Sequence, residues 1–345
     1  MKWMILLLFA VCGGMLLPFS DGSSAPLNTL DIYFIDTEGG AATLIVTPAR
    51  ETLLVDSGYP GERDAGRIAR AVREVAGLDE IDHYVTTHWH RDHFGGIGEL
   101  VHMIPVQRFY DQGLPDPLPR DIDPNLVAAY HKASKKTSLI LKAGDEIKLK
   151  RVPLMPRLRM QILAADGRVI GEHPNALRVR SCAKAHNPKP EDVSDNARSI
   201  GYRLTFGNFK FFAGGDLTWN VEHKLACPVN LPGRVDVYLV NHHGLDSSNN
   251  PALLDALKPR IAVINNGARK GGEPGTLKTL KSISNVKAIF QLHRNVRIDE
   301  RENAPFAFVA NDDEQCSGEY IKLSVAANGQ SFAVSLPAKA LTYTF

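Results

Sequence analysis

Short apolar runs bounded by Gly, Pro, Asn or Asp predict most of the strands of this chain, and a smaller set of segments has apolar residues at helical spacing. The predicted strands are Leu30 to Ile35, Ala42 to Val46, Thr52 to Val55, Ile81 to Val85, Ile200 to Phe206, Phe209 to Ala213, Val235 to Val240, Ile261 to Ile264, Ala288 to Gln291, Tyr320 to Ala326 and Ser331 to Leu336. The predicted helices are Arg67 to Val75, Ile97 to Met103, Leu126 to Ser134, Pro251 to Leu257 and Thr276 to Ser284. Strands followed by helices, in both halves of the chain, predict two β-sheets packed face to face with helices outside.

The segment from about 105 to 190 departs from this pattern. It is rich in proline and holds 16 Lys and Arg against 8 Asp and Glu. We predict an irregular basic insertion, with a few short strands and the helix at Leu126 to Ser134, inside one domain that spans 26–345. Long connections of this kind cover a functional site or lie as solvated surface, and the sequence leaves both open.

Residues 1–25 are typical of a secretory signal peptide. Lys2 precedes an apolar run from Trp3 to Leu17, and small and polar residues follow. The run is shorter than the about 20 residues that cross a membrane as a helix. We therefore expect a secreted or periplasmic protein without an integral membrane domain, and an uncleaved N-terminal anchor is the alternative.

Net charge and cysteine content exclude few binding partners and few kinds of site. A net charge of +2 and a pI near 8.3 leave nucleic acid open as a partner without indicating it. In the mature chain Cys182, Cys227 and Cys316 form no C-x-x-C pair, which argues against a cysteine-based zinc site. Export permits one disulfide, whose pairing the sequence does not specify, and three unpaired thiols are equally compatible with it.

Four potential metal ligands lie within six residues directly after the strand predicted at Ile81 to Val85. They are His88, His90, Asp92 and His93. Imidazole and carboxylate groups bind zinc and similar divalent ions. His88 and His90 project to one side of an extended segment, while Asp92 and His93 follow as the chain turns and can face a second position. The motif H-x-H-x-D-H therefore predicts a metal site.

Two further strands end in potential ligands. Phe209 to Ala213 runs into Asp216, whose two carboxylate oxygens can bridge two ions. Val235 to Val240 runs into His242 and His243, either of which can add an imidazole. Each cluster alone is a weak signal, but three strand ends with ligands in one chain reinforce one another.

Together these motifs resemble the metallo-β-lactamase superfamily over about Asp31 to Gln291. The order matches: Asp56 in an LLVDSG segment, the histidine motif, Asp216 and then His243. The resemblance implies a four-layer αββα sandwich and one or two divalent ions, with zinc expected and manganese as the alternative. It also implies that Asp56 supports the metal ligands by hydrogen bonding.

Within that superfamily the chain is most similar to the competence-type hydrolases. The similarity is carried by the segments at Phe34 to Ile45, Asn196 to Ser199 and His242 to Gly244, and exported bacterial members also share Gly214 to Trp219 and Asn265 to Gly272. One departure from the superfamily's full ligand set is clear. A third histidine for the first metal is expected near Asp195 to Ser199, and none is present. The first metal is therefore expected to bind weakly or to use Asn196 or water, which predicts an unequal metal pair. His186 is nearby but outside the pattern.

The resemblance implies hydrolysis by a metal-bound hydroxide. It assigns His88 and His90 to one metal, Asp92, His93 and His243 to the other, and Asp216 as the bridge. Asp92 and His242 are the residues expected to act in catalysis, with His242 orienting the substrate or protonating a leaving group. The sequence leaves open which of His242 and His243 is the ligand, and His243 is preferred because the family has a histidine followed by glycine there.

The sequence leaves three functions open. Asn265, Arg269 and Lys270 lie on a glycine-rich loop after a strand and can approach an anion, which favours a small phosphate-bearing substrate, a phosphoester or phosphodiester. A solvated basic turn is an equal interpretation of that loop. A hydrolase of lactams, lactones or other acyl bonds and a non-catalytic metal-binding protein are the alternatives.

Overall fold

The computed structural model describes residues 28–171, 179, 182 and 187–345, so the predicted signal peptide and His186 lie outside the described residues. Two large sheets dominate it. The first contains, in spatial order, β18 (Leu341–Thr344), β17 (Phe332–Leu336), β16 (Ile321–Val325), β1 (Leu30–Phe34), β2 (Thr43–Val46), β3 (Thr52–Val55), β4 (Ile81–Val85), β5 (Val106–Asp111) and β6 (Leu139–Ile140). The second contains β15 (Val309–Asn311), β14 (Ala288–His293), β13 (Ile261–Ile264), β12 (Val237–Leu239), β11 (Phe209–Ala213), β10 (Gly201–Phe206), β8 (Leu158–Ala165) and β7 (Glu146–Ile147), with β9 (Arg168–Val169) paired to β8.

Helices cover the outer face of each sheet. They are α1 (Glu62–Arg70), α2 (Arg91–Phe94), α3 (Ile97–Met103), α4 (Pro124–Ala133), α5 (Trp219–Ala226), α6 (Pro251–Leu257) and α7 (Pro274–Ser282). A five-residue π-helical turn, Ala71–Val75, continues α1. Among the described residues no helix is long and apolar enough to cross a membrane.

Three apolar cores hold the four layers together. The central core lies between the sheets and includes Phe34, Ile162 and Phe211. A second packs α1, α3 and α4 on the first sheet, and a third packs α5, α6 and α7 on the second. Strands β2 and β3 are buried on both faces, which explains why each is apolar throughout after an initial threonine instead of alternating. The predicted αββα sandwich is confirmed.

Several elements differ from the sequence prediction. The helix predicted at Arg67 to Val75 begins earlier, at Glu62, and α5, β15 and β18 were not predicted. The segment from 105 to 190 is also more regular than its composition indicated, in its described part. It contributes the predicted helix as α4, and its strands β5 and β8 belong to the two sheets.

The topology brings the carboxyl ends of four strands to one edge of the sandwich. β3 and β4 are parallel neighbours in the first sheet, and β11 and β12 are parallel neighbours in the second. In open α/β sheets, ligands bind at the carboxyl ends of such strands. Each of the segments that follow these four strands carries at least one of the predicted site residues.

Candidate metal centre

Asp56, directly after β3, organises the site. Its Oδ1 accepts a hydrogen bond from the backbone N–H of Thr87 at 2.8 Å, and its Oδ2 accepts from the Thr87 hydroxyl at 2.8 Å. Oδ2 also lies 2.8 Å from Nδ1 of His93. The backbone of Asp56 is left-handed, with φ at 63°, a conformation that Asp tolerates better than most residues. Asp56 thus fixes the His93 ring, in the supporting position that the resemblance implied.

We predict that Asp56→Asn lowers metal affinity by roughly 10- to 100-fold, the usual cost of losing a carboxylate that orients a metal-binding histidine. Competition with a chromophoric chelator measures the affinity. Asp82→Asn is the matched control, because Asp82 accepts hydrogen bonds from Thr52 in the neighbouring strand and has no contact with the site. Equal affinities in both variants would contradict an orienting role for Asp56.

Four buried side chains place their ligand atoms within 4.8 Å of one another: Asp92, His93, Asp216 and His243. Nε2 of His93 lies 3.2 Å from Oδ1 of Asp216 and 3.1 Å from Nε2 of His243. Nε2 of His243 lies 3.2 Å from Oδ2 of Asp92 and 3.5 Å from Oδ2 of Asp216. Asp216 therefore faces His93 with Oδ1 and His243 with Oδ2.

His88 faces the same carboxylate. Its Nε2 lies 3.8 Å from Oδ2 of Asp216, and its ring centroid is 4.0 Å from that of His93. Its Nδ1 contacts the Thr87 hydroxyl at 3.1 Å, while Nε2 is buried and has no hydrogen-bond partner. A buried polar atom without a partner is costly in a native protein. Together with the four-residue cluster, this orphaned nitrogen shows that the residues present fit a divalent cation.

His90 is not turned towards this cluster. Its Nε2 lies 2.9 Å from Oδ2 of Asp121, in the loop that precedes α4, and its side chain is partly exposed. The sequence grouped His90 with His88 because residues two apart in an extended segment share a side. The rings of the two histidines are in contact, with centroids 4.8 Å apart, but only His88 reaches Asp216.

His242 lies in a short helical turn, Asn241–Gly244. Its Nε2 is 3.5 Å from Oδ2 of Asp216, and its Nδ1 lies 3.1 Å from the hydroxyl groups of both Ser247 and Ser248. His243 is held through its Nδ1, 3.2 Å from the carbonyl oxygen of Asn265. Both histidines of the pair therefore direct Nε2 at Asp216.

The charges of the cluster are mutually dependent. Burial opposes protonation of His93, but the carboxylates of Asp216, Asp56 and Asp92 outweigh it and hold the pKa of His93 well above its ordinary value. Burial, assisted by the nearby His93, holds the pKa of His88 well below its ordinary value. His88 is therefore the neutral imidazole that a metal requires, and His93 carries a proton that a bound cation would replace.

The carboxylates of the cluster are ionised because nearby histidines and Lys270 stabilise their negative charge. Burial acts to raise the pKa of Asp216, but His93, His243 and His242 outweigh it and hold that pKa well below its ordinary value. The same direction holds for the pKa of Asp92, where burial is outweighed by His93, His243 and Lys270. Ionised, buried carboxylates beside imidazoles are the donors that zinc and manganese accept.

Of the three loop residues predicted to approach an anion, Lys270 lies closest to the cluster. Its ammonium group forms a close ion pair with Oδ2 of Asp92 and lies 3.5 Å from the hydroxyl group of Tyr59. Asn265 is largely buried and contributes the carbonyl that holds His243. Arg269 faces away, since its exposed guanidinium pairs with Glu314.

A second group of potential ligands, which the sequence did not indicate, is formed by Asp36, His293 and Cys316. Nε2 of His293 lies 2.8 Å from Oδ1 of Asp36, and Cys316 Sγ donates to Oδ2 of Asp36 at 3.3 Å. The Arg67 guanidinium already pairs with that same oxygen at 2.9 Å. This resident cation makes the group a structural ion-pair network that closes β14 onto the loop after β1.

The His242–His243 turn rests on a carboxylate that the sequence did not reveal. Glu222 of α5 is fully buried, and its Oε1 accepts from Nδ2 of Asn241 at 2.7 Å and from the backbone N–H of Asn249 at 3.0 Å. Its Oε2 accepts from the backbone N–H of Asn250 at 2.7 Å. One side chain therefore fixes both ends of the 241–250 loop.

This carboxylate predicts a pH-dependent stability. Burial raises the pKa of Glu222 to about 7, although its three N–H donors act in the opposite direction. Because this folded-state pKa exceeds the unfolded value, the stabilising contribution is complete below pH about 4.5 and is lost as the pH rises through about 7. Between pH 5 and 8 the free energy of unfolding of wild type should fall by roughly 2.5 kcal/mol relative to Glu222→Gln. Urea unfolding of both proteins at each pH measures the difference, and parallel pH profiles would contradict the prediction.

Comparison with known proteins bears on the amino-terminal half of the site. A family model described as the metallo-beta-lactamase superfamily matches residues 35–154, which include β2 to β5, Asp56 and the histidine motif. The chain is also similar to an atrochrysone carboxyl ACP thioesterase of Aspergillus terreus, at 35% identity over 66 residues. That match covers 19% of this chain and 20% of the thioesterase, so the chain spans about a fifth of that curated relative.

Solved structures show more remote similarity. The metallo-beta-lactamase fold protein YhfI from Bacillus subtilis is 12% identical, with 76% of this chain and 95% of that chain covered and a TM-score of 0.47. CmlA, a diiron β-hydroxylase from Streptomyces venezuelae, is 20% identical, with 68% and 44% covered and a TM-score of 0.38. Similarities this remote do not identify a substrate.

Proposed function

We propose that this chain, which carries a metallo-β-lactamase superfamily domain, is an exported metal-dependent hydrolase that acts on a small anionic ester, a phosphoester or phosphodiester. The metal-dependent hydrolase fold follows from the family match, whereas the substrate class and export are our proposals. The observation that carries the substrate class is the ammonium group of Lys270 beside Asp92, at the metal cluster.

The chain's own residues would hold the metal and fix the imidazole rings that bind it. Asp92, His93, Asp216 and His243 would bind one divalent ion, with zinc favoured by the imidazoles and manganese compatible with the carboxylates. Such an ion supplies Lewis acidity to the scissile group and lowers the pKa of a bound water. Asp56 fixes the ring of His93, and Asn265 fixes that of His243 through its carbonyl oxygen.

Lys270 would bind the substrate's anionic oxygen. It lies at the cluster, and its pKa is raised because Asp92 and Asp216 outweigh the burial that opposes its charge, so it stays protonated across the neutral range. An ammonium group is a common binder of phosphate as a point charge. A substrate anion would compete with Asp92 for it once Asp92 is engaged in metal binding.

Turnover of a substrate panel tests the proposed class. We expect the metal-loaded protein to hydrolyse bis-p-nitrophenyl phosphate or p-nitrophenyl phosphate in preference to p-nitrophenyl acetate, an acyl thioester and a chromogenic cephalosporin. The two phosphate esters separate a diesterase from a monoesterase. Turnover confined to the acyl substrates would overturn the phosphoester assignment and leave the metal-dependent hydrolase in place.

Lys270→Met should lower kcat/KM for the preferred phosphate ester by roughly 10- to 100-fold, because a hydrogen bond to a charged group contributes about 1.5–3 kcal/mol. The loss should appear mainly in KM, and turnover of neutral p-nitrophenyl acetate should change much less. Arg269→Met is the matched control, since Arg269 is the adjacent cation but pairs with Glu314 at the surface. Equal effects on charged and neutral esters would argue against anion binding by Lys270.

Hydrolysis of an acyl bond is the second candidate. It is favoured by the 35% identity over 66 residues to a protein named a thioesterase. The substrate panel above includes a thioester for this reason, and a preference for it would replace the first candidate.

Export is supported by one bond within the described part of the chain. Cys182 and Cys227 form a disulfide, and Cys316 stays a free thiol. Disulfides persist in oxidising compartments and are rare in the cytosol. Fractionation of expressing cells and amino-terminal sequencing of the mature protein test export, and a full-length chain recovered only from the cytosol would overturn it.

A further inference from the structure

We propose that His242 supplies an imidazole to the first metal position, together with His88 and Asp216, in place of the histidine that the segment Asp195 to Ser199 lacks. The inference rests on the proposed metal-dependent function and specifies its ligand set. It makes both histidines of the His242–His243 pair ligands, one for each metal position.

Three imidazoles converge on a single carboxylate oxygen. Oδ2 of Asp216 lies 3.5 Å from Nε2 of His242, 3.5 Å from Nε2 of His243 and 3.8 Å from Nε2 of His88. The other oxygen, Oδ1, faces His93 at 3.2 Å. Because His243 also reaches Asp92, we group it with His93, and His242 and His88 are the remaining imidazoles near Oδ2.

The serine hydroxyl groups beside His242 contact its Nδ1, so Nε2 keeps the lone pair that a ligand needs. The hydroxyl groups of Ser247 and Ser248 both lie 3.1 Å from its Nδ1 and can accept a hydrogen bond from an Nδ1–H group. Metal-binding histidines are usually held in this way through the second ring nitrogen, which places the lone pair on the first. The side chain is largely buried, as a ligand in this position would be.

The backbone is arranged so that two adjacent histidines point the same way. His242 has φ 54° and ψ 44°, and His243 has φ 54° and ψ 15°. Neighbouring residues of an extended strand project to opposite faces, so a normal strand end would present only one of the two. Left-handed conformations of non-glycine residues are uncommon and persist at functional sites when the surroundings enforce them. Here the buried Glu222 network fixes the turn through Asn241.

Asn196 occupies the segment in which the superfamily has its third histidine. Its Nδ2 lies 3.4 Å from Nε2 of His242, while its Oδ1 is buried without a partner. A donor facing Nε2 agrees with an unprotonated Nε2 on His242. The amide of Asn196 therefore lies beside the metal position proposed for His242. The competing assignment is that Asn196 itself binds that metal, and the experiment must distinguish the two ligands.

The two positions should differ in strength. The cluster around His93 has two carboxylates, those of Asp92 and Asp216, whereas the position around His88 and His242 has only the shared Asp216. We therefore expect the ion bound at His242 to be the weaker of two.

Stoichiometric titration of chelator-treated protein with Co²⁺, followed by ligand-field absorption and checked by elemental analysis with Zn²⁺, tests the assignment without relying on turnover. Wild type should bind a tight ion and then a weaker one. His242→Ala, and His242→Asn, whose side chain is shorter and tolerates the left-handed backbone, should lose only the weaker ion. Asn196→Ala should retain both. The double variant His242→Ala with Asn196→His should regain the second ion, because it restores a histidine in the superfamily position.

The outcomes separate this inference from the proposed function. Two ions in both His242 variants, or loss of the second ion in Asn196→Ala with retention in His242→Ala, would overturn the role of His242. A single ion in an active wild-type enzyme would also overturn it, while leaving the hydrolase proposal intact. A wild type that binds no ion would overturn the proposed function itself. Circular dichroism of each variant shows that any loss occurs in folded protein.

Discussion

Asp216→Asn should reduce kcat/KM by more than about 100-fold and abolish stable metal binding. Losing a carboxylate that merely orients a ligand costs about 10- to 100-fold in affinity, so losing the carboxylate that the ligands share should cost more. Oδ1 of Asp216 lies 3.2 Å from His93, and Oδ2 lies 3.5 Å from His243 and 3.8 Å from His88. The amide removes one negative charge and presents N–H groups to imidazole nitrogens that need the metal.

Metal content by elemental analysis and steady-state turnover measure the two effects. Asp166→Asn is the matched control, because Asp166 is a half-exposed carboxylate paired with Arg198 outside the cluster. The control should resemble wild type in both measurements. An Asp216→Asn protein with wild-type metal content and only a severalfold loss of turnover would mean that Asp216 does not bridge the site.

The fold was predictable because its central strands carry strong local signals. β13 is a continuous apolar run, β2 and β3 are apolar after an initial threonine, and the hairpin of β10 and β11 turns at Gly207 and Asn208. β8 carried a signal as well, since Leu158, Met160 and Ile162 alternate with polar residues, but the proline-rich, basic surroundings concealed it. α5 could not be predicted in the same way, because its buried face includes the carboxylate of Glu222, which only the tertiary hydrogen bonds make compatible with burial.

The convergence of the candidate ligands was predictable where they directly follow strands. It was not predictable where a loop decides the orientation of a side chain. Asp216 and His243 come together because β11 and β12 are parallel neighbours, an inference that strand order alone supports. His90 turns to Asp121, a residue 31 positions further along in an irregular loop, and no spacing rule predicts that contact. The same limit applies to Lys270, whose pairing with Asp92 depends on the fold of a glycine-rich loop.

Removing the metal should abolish hydrolysis without unfolding the protein. Two cations offset most of the charge of the three buried carboxylates without an added ion, since Lys270 pairs with Asp92 and protonated His93 lies between Asp56 and Asp216. Buried charges left unpaired would destabilise the fold, but these remain paired and hydrogen-bonded. Dialysis against a chelator should therefore leave the circular dichroism spectrum unchanged while turnover is lost, and Zn²⁺ or Mn²⁺ should restore it.

Metal binding should raise the free energy of unfolding only by mass action, because the metal-free protein is already folded. At a free metal concentration of about 100 times Kd, binding should raise the free energy of unfolding by about 2.7 kcal/mol per site, and the increase should vanish in Asp216→Asn. Thermal unfolding of metal-free and metal-loaded protein measures this difference. Full turnover in protein that elemental analysis shows to be metal-free would refute metal-dependent hydrolysis. Cooperative unfolding on chelation would instead show that Lys270 and His93 do not balance the carboxylates, because the folded state would then need the cation to hold Asp92 and Asp216 together.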